Sequence, residues 1–146
     1  AICRYLEELY PETNLLGTDA KEQALVLMWH DIALLEGYLG IQEVLRNNLD
    51  EFADRALPGP VNHEQIKALV DRGRKRIEVF FDKLNQRLAE SPYVALDRFT
   101  YADIAAYVYQ GFATRATGEN PAEGRDDLTR WYETIAARPA VKAATS

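Results

Sequence analysis

The stretch Phe99-Thr100-Tyr101-Ala102-Asp103-Ile104 carries a complete helix start. Thr100 is the N-cap, whose hydroxyl serves an amide that has no partner inside the helix. Asp103, at the third helical position, reaches back to the Thr100 amide, doing with a shorter arm what Glu or Gln does in the usual capping box. Phe99 before the cap and Ile104 at the fourth position form a hydrophobic staple. Losing either side chain of the box is expected to cost about 1–2 kcal/mol. The residues that follow, among them Ala105, Ala106, Val108, Gly111 and Ala113, are small and apolar on most sides of the helix. Such a helix belongs at the centre of a bundle.

Working outward, the surrounding segments read as helices too. Downstream, a polar loop from Thr117 to Gly124 leads to a helix over Asp126–Ala137. It has Leu128, Trp131, Tyr132 and Ile135 inward and stops at Arg138-Pro139, with room for one more turn in the tail. Upstream of the Ser91–Arg98 loop, a helix over His63–Ala89 is expected, with Asn62 as cap and Gln65 three residues on. Its apolar stripe is Ile66, Leu69, Val70, Ile77, Phe80, Phe81, Leu84 and Leu88. Pro58-Gly59-Pro60 breaks the connection before it. A helix of unusual length precedes that, from an Asp19/Glu22 cap to about Asn48. It carries two apolar stripes. One is Leu25, Met28 or Trp29, Ile32, Leu35 and Leu39, read as the core face. The other is Leu34, Tyr38, Ile41 and Leu45. Gly37 and Gly40 within it cost about 1 kcal/mol each against Ala and mark a bend or a close approach. A first helix with Ile2, Leu6 and Leu9 on one face ends before Pro11, and Leu15 and Leu16 give the linker after it something to pack. No segment alternates with period two. The fold expected is all-α, a bundle of about five helices.

Composition narrows the function. The chain has 146 residues and a net charge of −6, which argues against phosphate-backbone binding and against anionic membrane surfaces. Cys3 is the one cysteine, so no internal disulfide forms and a reducing, cytoplasmic setting is expected. No apolar run approaches the roughly 18 residues of a membrane span, and charges from Arg4 onward do not suit a signal peptide. The chain opens inside a helical pattern with no cap. This reads as the interior of a longer protein, a processed N-terminus being the alternative. His30 and His63 lie far apart without an HExxH pattern, so no metal site is expected. The Asp126/Asp127 pair suits a helix start. No catalytic constellation emerges from the residues themselves.

Taken in order, the motifs resemble the C-terminal helical domain of the glutathione transferase superfamily. Ala1-Ile2-Cys3-Arg4-Tyr5-Leu6-Glu7 is similar to the segment closing that family's thioredoxin-like domain. Tyr10-Pro11 and Leu15-Leu16-Gly17 are similar to its interdomain linker. Met28-Trp29 falls where many bacterial members have a Trp. Ser91-Pro92-Tyr93-Val94-Ala95 followed by the Phe99–Ile104 box, and Trp131-Tyr132 with Ala137-Arg138-Pro139-Ala140, match its later signatures.

The resemblance implies that residues 1–11 end a thioredoxin-like domain, 12–18 link, and 19–146 form the helical domain. It implies glutathione as co-substrate with no other cofactor, a hydrophobic electrophile as second substrate, and a homodimer. Glutathione and the residue that activates its thiol would sit on the thioredoxin-like domain, leaving no catalytic residue here. The helical domain would supply one wall of the electrophile pocket, with Leu34, Tyr38, Ile41 and Leu45 as candidates. Core or dimer contacts are the competing assignment for these four. Leu34 departs from related bacterial members, which often have Glu there. A non-catalytic binding or assembly module is the alternative function.

Overall fold

A computed structural model describes residues 1–145. Its elements are α1 (Ile2–Leu9), α2 (Ala20–Asn48), α3 (Ala68–Glu90), α4 (Tyr101–Thr117), α5 (Asp126–Ala136) and α6 (Pro139–Thr145). Short 3-10 turns lie at Pro11–Thr13 and Asp50–Phe52. Among the described residues there is no strand, only one isolated bridge between Arg55 and His63. The fold is all-α as expected, with the tail forming a sixth helix of its own.

Trp131, Phe80, Phe81, Ile41, Leu84, Leu88, Leu128 and Ile135 fill the centre, fully buried. Each such side chain contributes about 1.5–3 kcal/mol relative to exposure. They come from α2, α3 and α5, and the small residues Ala102, Ala106 and Ala113 of α4 let that helix run among them.

α2 departs from the expectation in its facing. Its buried apolar residues are Val26, Ala33, Ile41 and Val44. In the stripe read as core, Leu25, Trp29 and Ile32 pack half-buried against the core, whereas Leu35 is 56% exposed, Met28 45% and Leu39 39%. α3 and α4 approach α2 along its smallest residues. At the α2–α3 crossing, a Cβ on Gly40 would stand 2.9 Å from the Arg76 Cβ, and one on Gly73 would stand 2.7 Å from the Gly40 carbonyl oxygen. Gly37 lies equally close to the Phe80 ring. The two α2 glycines thus mark close approaches. The helix also opens into a π-turn over Ala33–Tyr38, where the Leu39 amide bonds the Leu34 carbonyl rather than that of Leu35.

By length and composition alone, α2 could cross a membrane, with a mean hydropathy of 1.4 over its most apolar stretch. In the fold it is a bundle helix. It buries one face against α3 and α4 and sets Glu36 and Glu43 in ion pairs with Lys83, Arg72 and Arg76.

The α3 start is a second difference. Helix begins at Ala68, not His63, and Asn62 does not cap it. The Gln65 side chain instead donates to the Arg46 and Leu49 carbonyls at 3.1 and 2.7 Å. Those carbonyls lie at the C-terminal end of α2, where helix carbonyls lack partners within the helix; Leu49 also accepts the Phe52 amide. Asn47 Oδ1 accepts the Ile66 amide at 2.9 Å. His63 is paired with the 54–56 segment through its own backbone. With those groups committed, the chain stays out of regular helix until a turn at Lys67 leads into α3.

The segment before α2 is tied to α2 and to the start of α4. Asp19 accepts the Glu22 amide at 2.9 Å, while the Glu22 carboxylate accepts from the Thr18 amide and hydroxyl and from Arg98. The Leu15 carbonyl takes the Tyr101 amide at 2.9 Å, and Leu16 packs on the core.

Candidate functional site

The capping box opens the site-bearing helix α4, and it does more than cap. Both arms are in place. Asp103 Oδ2 accepts the Thr100 amide at 2.8 Å and the Thr100 hydroxyl at 2.9 Å. Its Oδ1 accepts the Val94 amide and the Trp131 indole N–H, both at 2.9 Å. Thr100 and Asp103 have no exposed surface. One carboxylate therefore ties together the loop before α4, the start of α4, and α5. Phe99 is half-buried, edge-on to Tyr93, with the Arg138 guanidinium 3.8 Å from its ring centroid.

From this fixed start α4 runs beside α2 in the same direction. His30 stacks on Tyr101 with centroids 4.8 Å apart, and Tyr38 stacks on Tyr109 at the same distance. The two pairs are eight residues apart on both helices, so the faces are in register. Phe112 tilts against Tyr38 at 6.3 Å. The Tyr38 hydroxyl accepts from Gln42 at 2.9 Å. Leu34 falls midway between the stacks on α2, and Ala105 occupies the corresponding place on α4. Burial, and then the neighbouring Tyr38, raise the Tyr109 phenol above its ordinary value.

Of the four candidate wall residues, the structure brings Leu34 and Tyr38 together on this face, both half-buried within the π-turn. Leu45 packs half-buried against the core. Ile41 is 0% exposed and packs in the core. The reason is the turn of α2: Ile41 follows Gly40 into the crossing with α3. Sequence reading missed His30, Tyr101, Tyr109 and Phe112. The spacing of Tyr101 and Tyr109 was visible, but their partners lie on another helix.

A cavity of about 760 Å³ adjoins the His30–Tyr101 end, between α1, the linker and α2. Cys3, Arg4, Glu7, Leu27, Asp31 and Tyr101 are among its lining residues. Burial and then the Cys3 thiol raise the Tyr101 phenol. His30 Nδ1 lies 3.0 Å from the Asp31 carboxylate. None of the four candidate residues lines this cavity. Among the described residues, no group of His, Cys, Asp and Glu could hold a metal ion.

The family model for the glutathione S-transferase C-terminal domain matches residues 33–139. The chain belongs to the glutathione transferase family. It is 28% identical to glutathione S-transferase F12 of Arabidopsis thaliana, covering 97% of this chain and 64% of that protein. The chain thus spans somewhat less than two thirds of the curated relatives it resembles. A class Gtt2 glutathione S-transferase of Vibrio parahaemolyticus has a similar structure, with a TM-score of 0.76 and 29% identity over 97% of this chain and 62% of that one. Gtt2 of Saccharomyces cerevisiae has a TM-score of 0.77 and 26% identity over 89% of this chain and 60% of that one. What the chain holds is the helical half of the transferase fold. The described residues contain no sheet that could serve as the thioredoxin-like half.

Proposed function

We propose that the chain serves a glutathione transferase as its acceptor-side domain. In this reading, glutathione binds a thioredoxin-like domain, which lowers the thiol pKa. The thiolate attacks an electrophilic carbon, and the α2–α4 face holds the apolar part of that second substrate. The observation that carries this is the pair of in-register ring stacks flanking half-buried Leu34. The α2–α4 seam is thus lined by Leu34 and aromatic rings with phenol hydroxyls, the kind of side chains that line small-molecule sites. The same reading expects a cytoplasmic enzyme working as a homodimer. The exposed row Met28, Leu35 and Leu39 on α2, with Val79 on α3, is the surface a second copy would cover.

The test is steady-state kinetics of this domain joined to a thioredoxin-like half. Tyr38→Ala and Phe112→Ala are expected to raise KM for an aryl halide several-fold and leave KM for glutathione unchanged. Equal effects on both constants, or none on either, would refute the assignment. The chain by itself is expected not to conjugate glutathione above the uncatalysed rate.

A further inference from the structure

The π-turn of α2 is held from outside by α3. In a regular helix the Leu35 carbonyl would accept the Leu39 amide, but that amide is bonded to Leu34. Arg76 Nη2 donates to the Leu35 carbonyl at 2.5 Å. The same guanidinium donates through Nη1 to Glu43 Oε1 at 2.6 Å. Glu43 is fixed in turn by a two-armed contact from Arg72, at 3.1 and 2.8 Å. Burial works against the Glu43 charge, but the hydrogen bond from Arg72 and the charge of Arg76 outweigh it and hold its carboxyl below the usual range. Glu36, also inside the turn, pairs with Lys83 of α3. Two cations of α3 thus grip one side of the π-turn, while Leu34 and Tyr38 face α4 from the other. A local widening of a helix re-aims the side chains it contains, and such turns recur at functional sites.

We propose that Arg76 is a positioning residue: by donating to the Leu35 carbonyl inside the π-turn, it sets how Leu34 and Tyr38 present themselves to an apolar ligand on the α2–α4 face. This rests on the reading of that face as the acceptor wall. Arg76 touches no ligand and acts through the backbone of α2. The guanidinium serves the carboxylate and the carbonyl from two separate nitrogens of one rigid fork, a spread that a single ammonium nitrogen does not reproduce. A lysine keeps the charge opposite Glu43 and gives up the second contact.

The experiment compares Arg76→Lys with Arg72→Lys, which loses a contact to Glu43 alone. Three signals are followed: the carbon-13 resonance of the Leu35 carbonyl, the ring-to-ring NOEs between Tyr38 and Tyr109, and binding of anilinonaphthalene sulfonate. In Arg76→Lys the Leu35 resonance is expected to move, the NOEs to weaken, and dye affinity to fall about fivefold, the scale of one hydrogen bond. Arg72→Lys should leave all three near wild type. Arg76→Gln, which also removes the charge, should move them further in the same direction. Unchanged Leu35 and ring signals in both Arg76 variants overturn the proposal, as does an equal change in Arg72→Lys. The wall reading fails separately: Tyr38→Ala then leaves dye affinity unchanged.

Discussion

Asp103 shows how much one side chain can do once its partners are counted. Read as half of a capping box, it was expected to match Thr100 in worth. In the fold it accepts from four donors on three segments and has no exposed surface. Each buried donor left unpaired costs about 1–3 kcal/mol. Thr100→Ala should therefore cost about 1–2 kcal/mol and Asp103→Ala about 3–5 kcal/mol. The double mutant should cost clearly less than the sum, because the two residues share one network. Thermal and urea melts of the three variants check this. Equal losses for the two single variants would mean the Val94 and Trp131 bonds contribute nothing. Trp131 fluorescence should respond in Asp103→Ala and stay near wild type in Thr100→Ala.

Among the elements, the α2–α3 crossing and the linker carry the sharpest expectations. Gly73→Ala puts a methyl 2.7 Å from a backbone oxygen, and Gly40→Ala puts one 2.9 Å from the Arg76 Cβ. Either change should cost about 1–3 kcal/mol through forced separation of the helices. Gly111, within α4, has nothing within 4 Å of its would-be Cβ, so Gly111→Ala should stabilise by about 0.5–1 kcal/mol. Denaturation midpoints of the three variants test whether space decides the sign. At the linker, the hydrogen bond from Arg98, followed by those from Thr18, lowers the Glu22 pKa from 4.5 to about 2. A carboxyl depressed in the folded state stabilises above its unfolded pKa and ceases to as pH falls through the folded one. The advantage of wild type over Glu22→Gln should therefore be full above about pH 4.5 and shrink toward pH 2. Acid unfolding curves of the two proteins measure it. A constant difference across that window would refute the linkage.

For the molecule as a whole, the exposed faces matter more than the core. Met28, Leu35 and Leu39 leave an uncovered apolar row on α2, and Val79 of α3 is exposed as well. α1 is exposed along its length, with Ile2 76% and Tyr5 62% exposed. Sedimentation of the chain should show reversible self-association at high concentration. Leu35→Glu with Leu39→Glu should suppress it without lowering the melting temperature of the monomer, since neither residue is buried. Self-association that survives the double substitution would move the interface to α1 or elsewhere.

The elements themselves were legible along the chain. Pro11, the Asp19 and Thr100 caps, the Pro58-Gly59-Pro60 break and Arg138-Pro139 punctuate it locally, and local signals survive without tertiary context. The long apolar stripe of α3 was legible for the same reason, being the single stripe on its helix. α2 was different. It carries apolar residues on more than one side, and periodicity alone does not rank them. The glycines at 37, 40 and 73 ranked them, because helices approach closest where side chains are absent, and that brought Ile41 into the core and left Leu35 outside. Gln65 was read as a cap for the helix ahead of it and instead closes the one behind, a choice made by which carbonyls were near. The stacks of His30 on Tyr101 and Tyr38 on Tyr109 depend on the register between two helices about seventy residues apart in the chain. So do the long-range bonds of Asp103. Helix positions thus follow from the order of residues. The burial of faces and the pairing of rings follow from packing, where distant segments compete for the same space.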